Sequence, residues 1–127
     1  MGTLYYSRFW ILIGIGQVLV VVVASLVPSA DLPHLGITDK AEHMIAYGGL
    51  ALWFGGLVAP RHYWILGLAL AALGGGIEIA QGLMGLGRDA DWRDFYADAL
   101  GAALGLSLSM AGIRFWPTWI ERWLKPR

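Results

Sequence analysis

Four stretches of the chain are apolar almost without interruption, and the polar residues gather between them. A helix rising ~1.5 Å per residue needs about 20 such residues to cross a hydrocarbon core ~30 Å thick. The stretches at about 9–27, 41–59, 63–86 and 95–116 reach that length and predict four transmembrane helices. Notable polar residues within them are Gln17 in the first, His43 and Tyr47 near the start of the second, Glu78 and Gln81 in the third, and Asp98 near the start of the fourth. Pro28, Pro33, Pro60 and Pro117 fall at or beyond the ends, where a missing N–H costs little. The run Gly74-Gly75-Gly76 lies inside the third stretch, where in lipid small residues let helices approach closely. The first stretch exceeds the ~7–15 apolar residues of a signal peptide, so it reads as a span, although Pro28-Ser29-Ala30 faintly resembles a cleavage site. In the tail at 117–127, together with Trp116, the residues Trp119, Ile120, Trp123 and Leu124 recur at helical spacing, with Glu121, Arg122 and Lys125 between them. That pattern predicts an amphipathic helix lying along the headgroup plane, an anchor for the fourth span. Trp10, Trp53 and Trp64 fit interfacial aromatic belts.

Composition agrees. Of 127 residues, 57% are hydrophobic and 14% charged, against roughly 25% charged in a soluble domain. The mean hydropathy is +0.60. A chain this short cannot hide so much apolar surface in a water-soluble core. Disorder and nucleic-acid binding are excluded, and a soluble enzyme fits poorly. The expectation is a single all-α membrane domain over 1–127, a bundle of four transmembrane helices plus a C-terminal amphipathic interfacial helix. With no cysteine, there is no disulfide scaffold, thiolate ligand or Cys nucleophile.

Net charge is zero, so placement matters more than sum. Four spans put Arg8, Arg61, Arg114, Arg122, Lys125 and Arg127 on one side, and Lys40, Arg88 and Arg93 on the other. The richer side is expected in the cytoplasm, with both termini. Asp31, Asp39, Glu42, Asp89, Asp91 and Asp94 then all fall on the outer side. Acidic residues barely affect topology, so that skew needs another cause.

Glu78 is the most informative residue. A charge at mid-membrane costs ~2.5–3.5 kcal/mol, and a Leu or Ile returns only ~0.3–0.6 kcal/mol there. Gln81, three residues on, shares its face. Asp39, His43 and Tyr47 are spaced four apart and can line one face of the second helix. Asp39 also suits an N-cap. In the fourth helix Asp91, Asp94, Asp98, Gly101 and Gly105 follow spacings of 3, 4, 3 and 4, which makes one narrow stripe. Carboxylates at its outer end continue the small residues of a packing face. An outer polar site is therefore expected from Asp39, Lys40, His43, Tyr47, Glu78, Gln81, Arg88, Asp91, Asp94 and Asp98.

Taken in order, Asp39-Lys40-x-x-His43-x-x-x-Tyr47, Glu78-x-x-Gln81, Arg88-x-x-Asp91-x-x-Asp94 and Asp98-x-x-Gly101-x-x-x-Gly105 resemble the VanZ-like family of small bacterial integral membrane proteins. The resemblance covers about residues 25–110. It implies a multi-pass protein of the bacterial cytoplasmic (inner) membrane and a link to antibiotic resistance of the glycopeptide, teicoplanin type. Such drugs act outside the cell on lipid-linked wall precursors. One departure is that the family usually has Asn where this chain has Asp98, which adds a carboxyl.

Three functions follow. One is a cell-envelope protein whose outer cleft binds a lipid headgroup, a lipid-linked cell-wall precursor or a lipoglycopeptide. In it, Lys40, Arg88 and Arg93 would meet phosphate or carboxylate, and Asp39, Asp91 and Asp94 hydroxyls or amines. Another is a membrane enzyme acting on a headgroup, with His43 as general base oriented by Asp39, and Glu78 as general acid. There His43, Glu78, Asp94 and Asp98 could alternatively hold a divalent metal. The third is a structural or assembly subunit. Exposed glycine faces leave a homodimer open.

Overall fold

The computed structural model describes residues 3–27, 36–85 and 90–126. They form five helices: α1 (Ser7–Leu26), α2 (Asp39–Gly55), α3 (Tyr63–Met84), α4 (Trp92–Met110) and α5 (Trp116–Leu124). Short 3-10 turns at Pro60–His62 and Ile113–Phe115 lead into α3 and α5.

The helix ends have local causes. Thr38, not Asp39, caps α2: its hydroxyl accepts the Ala41 N–H at 3.2 Å. Asp39 and Glu42 sit in the first turn, where negative charge complements the exposed N–H groups. Asp91 caps α4, accepting the Arg93 N–H at 2.9 Å. The helix thus starts at Trp92, before the expected 95. It also stops at Met110, short of the expected 116. Gly112 takes a φ of 131°, reserved in practice for glycine, and the chain turns by 75° into the Ile113–Leu124 segment. Gly85, at φ 60°, closes α3.

The helices alternate in direction. Gln81 near the end of α3 donates to the Ser25 carbonyl near the end of α1, at 2.7 Å. Trp53 near the end of α2 donates to the Trp10 carbonyl near the start of α1, at 2.9 Å. One end of the bundle therefore gathers the close of α1 and α3 with the start of α2 and α4. The central pair is α2 against α4, and glycine makes it. A Cβ on Gly105 would stand 2.5 Å from the Gly48 carbonyl oxygen and 2.7 Å from the Ala51 Cβ. A Cβ on Gly101 would collide with the Met44 backbone. Tyr47, Leu50, Ala51, Leu70 and Ala102 form the buried core beside this seam.

The surface inverts the usual distribution. Phe9, Leu12, Leu19, Val20, Leu68 and Leu83 are exposed, whereas Glu78, Gln81, Asp94, Asp98, Ser109 and Glu121 are buried. Two helices, Ser7–Leu26 and Pro60–Met84, are long and apolar enough to cross a membrane. The bent pair Trp92–Met110 and Ile113–Leu124 makes a third if it is taken as one span. The expected span at 41–59 is instead a 17-residue helix ending at Gly55, with Asp39, Lys40 and Glu42 in its first turn.

At the other end α5 folds back on the start of α1. Glu121 is buried and accepts three N–H groups at 2.9 Å: those of Tyr5 and Tyr6 and the indole of Trp10. The expected polar face of the tail is thus partly an inward face. Trp10 and Trp53 are not merely belt residues, since they pack with Trp116 in one aromatic cluster, with ring centroids 4.2 to 6.0 Å apart. The apolar residues of α5, Trp119, Ile120, Trp123 and Leu124, face outward.

Candidate functional site

The alternating topology carries the N-terminal turns of α2 and α4 to the same end as the last turns of α3. Ionisable side chains cluster on those turns, and the glycine seam below draws α2 and α4 close enough for them to meet.

His43 is the centre. Its Nδ1 lies 2.6 Å from Asp98 Oδ1, a hydrogen bond between the paired helices. Asp98 is 2% exposed, and its carboxylate fits because position 74 lacks a side chain: a Cβ there would stand 2.8 Å from Oδ2. Asp98, rather than the expected Asp39, therefore orients the ring. The opposite nitrogen, Nε2, faces Asp39 Oδ2 at 3.8 Å and Asp94 Oδ2 at 3.7 Å. Both exceed hydrogen-bond reach.

Lys40 crosses from α2 to α4. Its ammonium is bonded to Asp94 Oδ1 and lies 3.1 Å from Asp91 Oδ2 and 3.7 Å from Asp39 Oδ2. Arg93 holds the other oxygen of Asp91 at 3.2 Å. The Arg93 backbone N–H, its guanidinium and the Lys40 ammonium together hold the Asp91 carboxyl at about 2, well below the usual carboxylate range. Both described cations of the site are thus already engaged by carboxylates, which weakens the expectation that they meet a ligand phosphate.

Glu78 is 1% exposed. Its Oε2 accepts the Asp91 N–H at 2.8 Å, which ties α3 to the cap of α4. Its Oε1 has no hydrogen-bond partner, nor has the buried hydroxyl of Tyr47. Glu78 lies in the electrostatic field of Asp94, His43 and Asp98, and Tyr47 in that of Asp98 and Glu78. Gln81 uses its amide nitrogen to hold α1, so it is a brace between helices, with its oxygen unpartnered. Arg88 lies outside the described residues.

The structure thus brings Asp39, Lys40, His43, Asp91, Asp94 and Asp98 into one contact network, with Glu78 attached through Asp91. Tyr47 lies deeper, in the core, and Gln81 faces α1. Asp39, His43 and Asp94 offer ligand atoms within 4.8 Å of one another, a geometry that can take a metal ion. Glu78 and Asp98, which the sequence placed in a metal set, are not part of that group. Sequence reasoning missed Gly74 as the residue that admits Asp98, and Glu121 as a buried carboxylate. The triple glycine was a signal for Gly74. Glu121 carries no such signal, since its spacing is that of a charge on an amphipathic face. No protein-family model, curated protein or solved structure matches this chain.

Proposed function

We propose that the chain is a four-span, VanZ-like protein of the bacterial cytoplasmic membrane, with both termini in the cytoplasm. In this reading its outward polar end binds the headgroup of a lipid or lipid-linked envelope precursor. One observation carries the reading: Asp39, Asp91, Asp94, Asp98 and Glu78 crowd around His43 and a single lysine at one end of a bundle whose outer surface is apolar. Burying charge at that cost needs a compensating role. A headgroup beside an apolar helix surface is the ligand that uses both. α2 and α4 serve as spans at the short end of the length range, and α5, bent away at Gly112, lies in the interface with its apolar face toward lipid.

Native mass spectrometry of the protein purified with its own lipids tests this against Glu78→Gln and Asp94→Asn. A defined lipid retained by the wild type and lost from both variants is the expected result. The same lipids on all three would overturn headgroup selection and leave a structural role for the cluster.

A second reading is favoured by the Asp98–His43 contact. A carboxylate holding one imidazole nitrogen while the other makes no hydrogen bond to its neighbours Asp39 and Asp94 is the arrangement of a general base. Turnover of the retained lipid, lost in His43→Ala and carrying a shifted pH profile in Asp98→Asn, would establish an enzyme.

A further inference from the structure

We infer that Asp39, His43 and Asp94 form a site for one divalent transition-metal ion of the zinc or manganese type, with Asp98 as the residue that positions the histidine. The spacing points to it. The two measured edges of the triad, Nε2 to Asp39 Oδ2 at 3.8 Å and Nε2 to Asp94 Oδ2 at 3.7 Å, are too long for hydrogen bonds. A proton on Nε2 would find neither carboxylate within reach. Ligand atoms ~2.0–2.1 Å from a tetrahedral zinc stand about 3.3–3.4 Å apart, so these two edges need to close by only a few tenths of an ångström, and the third edge lies within 4.8 Å. One nitrogen and two carboxylate oxygens suit zinc and manganese.

The surroundings match what such a shell needs. His43 Nδ1 lies 2.6 Å from Asp98 Oδ1, so an ionised Asp98 would take the Nδ1–H and select the tautomer that presents the Nε2 lone pair to the triad. Lys40 occupies Asp94 Oδ1 and leaves Oδ2 toward His43. Independently of the acidic cluster, Glu78 is 1% exposed, sits in the field of His43, Asp94 and Asp98, and keeps Oε1 without a partner. That oxygen is a buried acceptor, within electrostatic range of the triad, that the protein itself does not complete. The triad runs from buried Asp94 to Asp39, whose side chain is 55% exposed, so coordination positions remain open on the Asp39 side. A phosphate or carboxylate oxygen can fill them. That last step rests on the headgroup reading, and it supplies the positive charge that Lys40 and Arg93, already paired, do not. The ion site itself stands on the triad.

The test uses the tag-free full-length protein in detergent, stripped with EDTA and titrated calorimetrically with zinc or manganese chloride alone. One saturable site per chain is expected. Asp94→Asn and His43→Ala should abolish it, and Asp98→Asn should weaken it by roughly 10–100-fold while shifting the visible spectrum of the Co²⁺-loaded protein. Glu42→Gln, an acid in the same turn of α2, should change affinity by less than about threefold, since it alters only the general field. Asp39 is exposed enough that Asp39→Asn must fold, and it should also weaken binding by more than about tenfold. No saturable binding by folded wild type, or undiminished affinity in Asp94→Asn and Asp39→Asn, would overturn the site. Metal binding without lipid selection retires the headgroup reading alone. Lipid selection that survives EDTA, with no ion bound, retires the metal site alone.

Discussion

Each end of the bundle buries a glutamate, and the two are finished differently. Glu121 accepts three N–H groups, which tie the last helix to the first turn of α1. Glu78 accepts one, from Asp91, and leaves its second oxygen unpartnered beside a histidine and two further acids. A carboxylate closed by donors from its own chain is a fastener. A carboxylate left partly open among like charges destabilises the fold unless something else completes it. The contrast separates an end closed by its own donors from an end that leaves a buried acceptor open.

The largest test is to remove the fastener. Glu121→Ala strands three donors, which at ~1 kcal/mol or more each predicts a loss of at least about 3 kcal/mol. Glu78→Ala strands one and relieves acid crowding, so about 1 kcal/mol or less is expected. Thermal unfolding of the detergent-solubilised variants compares them, and equal losses would break the contrast. Next, Gly105→Val drives a side chain into the Gly48 carbonyl and Ala51, and overpacking of this kind costs about 1–3 kcal/mol. It should disturb the polar end as well as stability, because it parts α2 from α4. Third, Asp98→Asn should leave the melting temperature nearly unchanged, at under about 1 kcal/mol, while weakening metal binding at the polar end by roughly 10–100-fold.

Acid titration sharpens the same comparison. Burial alone would raise the Glu121 carboxyl. The Tyr6 N–H, the Trp10 indole and the Tyr5 N–H outweigh it and hold the carboxyl below the ordinary glutamate value. A folded value below the unfolded one gives stability that is complete above the ordinary glutamate range. That stability is lost as pH falls through the folded value. Melting temperature against pH should therefore drop on the acid side in wild type and less steeply in Glu121→Gln. The smallest effect is expected at Arg93, whose side chain is 82% exposed. Arg93→Ala should cost less than about 0.5 kcal/mol, read from the same melts.

Much of the fold was legible because lipid-length apolar runs and small-residue stripes are local signals. The stripe through Asp94, Asp98, Gly101 and Gly105 is buried as its spacing implied, and Gly101 and Gly105 meet α2. The face of Asp39 and His43 also holds, while Tyr47 continues inward to the core. What spacing could not supply was partnership. The Asp98–His43 bond joins residues 55 apart, and no periodicity within either helix names the other. The break at Gly112 was hidden because glycine in an apolar run reads as a packing residue, and only its φ reveals the turn. Glu121 was hidden for a related reason. A carboxylate on a short amphipathic helix reads as solvated until three donors from a segment more than 100 residues away are seen to converge on it.

That convergence orders events in time. Tyr5, Tyr6 and Trp10 leave the ribosome more than 100 residues ahead of their acceptor at position 121. Until then the first turn of α1 must keep its N–H groups hydrated or bound elsewhere. The protein can thread its helices early, but it can lock only after α5 is made. Synthesis of α5, rather than insertion of the first helix, is the point from which these three donors can be held.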